Sequence, residues 1–146
     1  MNYFKAAEQI LSSLPDLERA VENLQQRENR IVSSGAPKTP AAIDYTKPFT
    51  DAKSVNDALT EMLELTEVRR HIQKTESYIR EIKAILAQME NEQSRIARLW
   101  YIERLPKEEI MHRMCVESLT TIYNLRNRAV AQFALLYFGA SAVDSI

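Results

Sequence analysis

The sequence holds one cysteine, two glycines and one tryptophan in 146 residues. A lone cysteine rules out an internal disulfide and fits a reducing compartment, so a cytoplasmic location is expected. Both glycines stand outside the periodic segments, which leaves little material for tight hairpins. Runs of β-branched residues are scarce while Ala, Leu, Glu, Gln and Arg are plentiful, so the expected class is all-α. No apolar run is long enough to span a bilayer. The start MNYFKAAEQ lacks the basic-then-apolar layout of a secretory leader, so no membrane partner is expected. A strong net charge is missing too. The balance is −1, unlike that of a protein that coats nucleic acid by charge alone.

Residues that could share chemistry are also few. His71 and His112 lie far apart, and His112 with Cys115 supplies only two ligands, too few for a metal site. Cys115 is expected as a small buried residue in a turn. Glu108 and Glu109 are adjacent, so they diverge on a helix, and their place in a first helical turn explains them. No Gly-rich phosphate loop and no Ser-His-Asp or Cys-His set is present. No catalytic residue, metal or cofactor is expected, and the chain does not read as an enzyme.

What the sequence does contain is helical periodicity. From about Asn2 to Ser33, Ile10, Leu14, Leu17, Val21, Leu24 and Ile31 recur at spacings of three and four, broken only at Glu28, which is a heptad seam. Pro15 predicts an interruption, either a kink or a new helix capped by Ser13. Gly35 suits the left-handed position that ends a helix. The stretch of about 34–53 carries Pro37, Pro40 and Pro48 with Ile43, Tyr45 and Phe49. It reads as an ordered strap, or alternatively as a partner-binding loop. Ser54 and Asp57 then form a capping box.

A second seam runs through Val55, Ala58, Leu59, Met62, Leu65, Val68, Ile72, Ile79, Ile82, Leu86 and Met89, with Thr75 as a polar member. Helix over this length spans roughly 50 Å. Two seams of matching period predict an antiparallel coiled-coil hairpin over 1–90, with Leu17–Ile31 against Leu65–Met89. A joint is expected at Met89–Glu92, where Asn91 can cap a new helix, and an unbroken helix is the alternative.

Residues 91–139 predict a three-helix domain. Ile96, Leu99, Trp100 and Ile102 mark a packing helix. Pro106 suits the first position of the next one, and Ile110, Met111 and Met114 share a face. Ser118 is a helix N-cap. In the last helix Ile122, Leu125, Ala129, Phe133 and Leu136 form the inward stripe. Thr120, Asn124, Asn127 and Ala131 lie opposite, Tyr123 at the edge, and Arg126 and Arg128 on the flanks. Between Arg95 and Arg128 seven basic residues face four acidic ones, a local balance of +3.

Such a face suits a helix entering the DNA major groove. Thr120, Asn124 and Asn127 are candidates for base edges, and Arg126 and Arg128 for phosphates, with Lys107 and Arg113 adding from the preceding helix. Ser118, Thr121 and Tyr123 complete the candidate DNA-binding set. Leu135, Tyr137 and Phe138 exceed what one small domain can cover and are the candidate oligomer interface, so a homodimer is expected. Gly139 ends the helix, and residues 140–146 read as a loose tail.

Leu99-Trp100-Tyr101-Ile102-Glu103, Glu109-Ile110, Val116, Ser118, Thr121-Ile122-Tyr123 and Arg128-Ala129 resemble the last helix-turn-helix domain of sigma-70-type factors. With its coiled-coil-like front half, the whole chain resembles the small phage transcriptional regulators of the RinA and ArpU type. The resemblance implies a sigma-like regulator of phage genes with general roles for Ser118, Thr121, Tyr123 and Arg128. Its partners would be double-stranded DNA and RNA polymerase. The chain departs from the pattern at Met111, in a turn without Gly, and by one extra residue between Met114 and Ser118. A helical module for protein interaction or assembly, such as a packaging adaptor, is the alternative.

Overall fold

The computed structural model describes residues 1–35 and 55–145. The expected strap, with Ile43, Tyr45 and Phe49, and the Ser54 cap lie outside the described residues. The chain is all-α, and no strand occurs among the described residues. Helix α1 spans Tyr3–Ser33, α2 Val55–Gln88, α3 Asn91–Ala97, α4 Lys107–Met114 and α5 Leu119–Phe138. A π-helical turn, Arg98–Ile102, follows α3, and a 3₁₀ segment, Gly139–Ser145, follows α5.

Helix α1 runs unbroken through Pro15, where the sequence predicts an interruption. Ser13 is inside the helix, and its hydroxyl donates to the Ile10 carbonyl at 2.7 Å. A proline loosens the carbonyls of the preceding turn at a cost of about 3 kcal/mol. Two observations offset this cost. Leu11 and Leu14 are buried on either side of the strained turn, and Arg104 Nη2 donates to the Ser12 carbonyl at 2.7 Å. The buried stripe here is Ala7, Leu11 and Leu14, with Ile10 only half-buried. The helix ends as expected, with Gly35 at φ 89° and its N–H bonded to the Val32 carbonyl.

The chain forms two compact units, Leu17–Tyr78 and Met1–Asp16 with Ile79–Ile146. The expected boundary at 90/91 therefore falls inside one of them. In the 17–78 unit, Ile31, Leu65, Val68 and Ile72 form a buried cluster joined by Leu24 and Val32. Ala58 and Met62 form a second cluster with Leu59. Arg69 Nε pairs with Glu28 Oε2 at 3.0 Å, so the one acidic residue that breaks the α1 seam has a cation opposite. Leu24 and Ile31 of the α1 seam thus share one cluster with the 65–72 part of α2.

In the other unit, Ile82, Leu86 and Met89 are buried together with Ile96, Leu99, Ile110, Ile122, Val130 and Phe133. Helix α5 packs on α3, on α4 and on the 3₁₀ segment. The joint after α2 is present, but Glu90 rather than Asn91 is the N-cap of α3. The Glu90 N–H donates to Gln132 Oε1 at 3.3 Å. The C-terminal stretch is also more ordered than a loose tail. Gly139 turns the chain at φ 70°, ψ −148°, and Ala142 is fully buried.

Candidate nucleic-acid interface

The segment from the π-helical turn to α5 forms the expected pair of helices joined by a tight turn. Two non-glycine residues hold left-handed backbone, Arg104 at φ 52° and Cys115 at φ 54°. Arg104 closes the π-helical turn, with the Leu105 N–H reaching the Leu99 carbonyl at 3.1 Å. Pro106 is the N-cap of α4, one position before the expected one. It brings no side-chain acceptor, so Glu108 and Glu109 are the groups that complement the positive helix end.

Cys115 ends α4. Its N–H meets the His112 carbonyl, and the Val116 N–H meets the Met111 carbonyl at 2.9 Å, which is the Schellman arrangement. The turn thus uses Cys115 where glycine is usual. The left-handed backbone also leaves Cys115 exposed, not buried as expected. Ser118 then caps α5 from an extended conformation, its Oγ accepting from the Thr121 N–H at 3.5 Å.

On α5, Ile122, Leu125, Ala129, Val130, Phe133 and Ala134 are buried. The stripe is wider than the sequence predicts, because α5 is packed by several neighbours rather than one. Leu136, expected inside, is 41 % exposed. The opposite side presents Thr120, Thr121, Asn124, Asn127 and Arg128, all exposed.

Four candidate contact residues, Arg126, Tyr123, Lys107 and Arg113, are engaged elsewhere. Arg126 is only 21 % exposed, with Nη1 3.4 Å from Glu8 Oε1 and its guanidinium 5.0 Å from the Trp100 ring centre. Tyr123 packs edge-on against Trp100 at 5.6 Å, and Lys107 Nζ sits 4.9 Å from the Tyr123 ring centre. Arg113 pairs with Glu109 at 3.1 Å and Glu103 at 3.7 Å. Arg126 and Tyr123 therefore act first in holding α5 to the domain, and Arg128 is the exposed cation on this helix.

Glu8 is a member of this assembly that sequence reasoning missed, while the sequence marks Trp100 and Tyr101 only as parts of the packing helix and its motif. Tyr101 is buried and its hydroxyl donates to Glu8 Oε1 at 2.7 Å. Burial, and secondarily the Glu8 carboxylate, push the phenol pKa well above its ordinary value. Glu8 lies 118 residues from Arg126, so no local pattern could have found it.

The apolar end of α5 has an intramolecular partner. Phe138 packs against Tyr3 at 5.0 Å, and Tyr137 stacks on Phe133 at 5.8 Å. Leu135 and Leu136 stay exposed. Among the described residues no cluster of His, Cys, Asp or Glu could hold a metal ion, and no helix is long and apolar enough to cross a membrane. No protein-family model, curated protein or solved structure matches the chain.

Proposed function

We propose that this chain is a sequence-specific DNA-binding transcription regulator whose α5 enters the major groove, with a phage or prophage setting implied by the sequence resemblance. The observation that carries the reading is the row Thr120, Thr121, Asn124, Asn127 and Arg128, exposed along one side of a helix whose other side is buried. Short amide and hydroxyl side chains beside a guanidinium are the chemistry of base-edge and phosphate contact. RNA polymerase and a second copy of the chain are the proposed protein partners. A protein-interaction module is the second reading, favoured by exposed Leu119 at the start of the same helix.

The test selects duplexes from a random library and then measures binding at several salt concentrations. Asn124→Ala should cost roughly 1–3 kcal/mol on the selected duplex and little on a scrambled one. Arg128→Ala should weaken both and lower the salt slope by about one. If neither variant changes affinity on any duplex, this face does not touch DNA and the protein-interaction reading replaces it.

A further inference from the structure

Arg126 is held on several sides. Its Nη1 faces Glu8, and its guanidinium lies 5.0 Å from the Trp100 ring centre and 5.6 Å from that of Tyr123. Its Nε–H donates to Asn127 Oδ1 at 2.9 Å. Asn127 is itself exposed on the outward row. An asparagine that reads adenine uses both ends of its amide: the carbonyl accepts from the 6-amino group and the NH₂ donates to N7. Here the carbonyl is turned to a cation that cannot follow it outward. A base amino group brought to the same oxygen would meet positively charged guanidinium hydrogens. The NH₂ end is left to face the groove, and it can only donate.

The geometry points to Asn127 as a donor-only reader that selects guanine over adenine, with Arg126 as the positioning residue that imposes the choice. Guanine presents two adjacent acceptors, N7 and O6, whereas adenine replaces the second by an amino group and thymine offers one acceptor beside a methyl. Arg126 in this role never touches DNA. The inference rests on the DNA-binding reading and names a base for it.

Selection from a random duplex library, with the full chain and with Asn127→Ala and Arg126→Met, tests it. The pair whose preference collapses in Asn127→Ala is the one Asn127 reads. In the unchanged chain that pair is G·C over A·T by roughly tenfold. Hypoxanthine, which keeps the guanine major-groove edge, preserves binding there. In Arg126→Met the amide is free to turn, and the preference at this pair falls several-fold while the other positions keep theirs. A purely structural role for Arg126 would weaken all positions alike and overturns the inference. Glu8→Gln, which loosens the same guanidinium, shifts this pair in the same direction and serves if Arg126→Met does not fold. An A·T preference at the pair, or no position altered by Asn127→Ala, also overturns it. Failure of the unchanged chain to enrich any motif overturns the DNA-binding reading itself, so the two failures are separate results.

Discussion

The Tyr101 hydroxyl donates to Glu8 Oε1 at 2.7 Å across 93 positions of sequence. The same carboxylate oxygen lies 3.4 Å from Arg126. One side chain near the start of α1 thus ties the π-helical turn to α5. Glu8→Ala leaves a buried phenol and a largely buried guanidinium without their acceptor. It should cost about 1–3 kcal/mol, read as a lower urea midpoint, and Tyr101→Phe should cost less.

Alkaline pH should show the same contact. The Tyr101 pKa is raised in the folded chain, so above the ordinary phenol pKa of about 10 the unfolded state loses this proton first. Its contribution to stability is full below that value and is lost as pH rises beyond it. Urea midpoints measured from pH 8 to 11 should fall, and Tyr101→Phe should fall less steeply. Equal slopes for both proteins would contradict the assignment.

Cys115 holds left-handed backbone at φ 54° and ψ 43°, a conformation that costs a non-glycine residue about 1–2 kcal/mol. Cys115→Gly should therefore raise the melting temperature, and Cys115→Val should lower it. The opposite order would mean that contacts of the thiol outweigh the backbone term.

Gly139 adopts φ 70° and ψ −148°, a region close to glycine-only. No atom stands near an added Cβ, so the penalty of Gly139→Ala is backbone strain, roughly 1–3 kcal/mol. The variant should release the 3₁₀ segment that buries Ala142. Faster proteolysis after Phe138 without loss of overall helicity is the expected result.

Self-association is expected through Leu135 and Leu136, since Tyr3 already covers Phe138. Changing both leucines to Gln should shift sedimentation toward the monomer. A monomeric unchanged protein at high concentration would remove the idea.

Sequence periodicity by itself determined the helices of this chain. The seam of α2 and the exposed row on α5 follow from spacings of three and four set by backbone geometry, and the Ser118 cap and the glycine stops at 35 and 139 follow from the local chemistry of those residues. Only the tertiary structure decided the rest. Pro15 stays helical because burial of Leu11 and Leu14 and the Arg104 bond to Ser12 outweigh its local penalty. Arg126 reads as a phosphate contact until Glu8 and Trp100 turn it inward, and Leu136 reads as core until the packing around α5 shifts the stripe toward Val130 and Ala134. Such outcomes depend on groups tens of residues away, which leave no periodic trace in the chain.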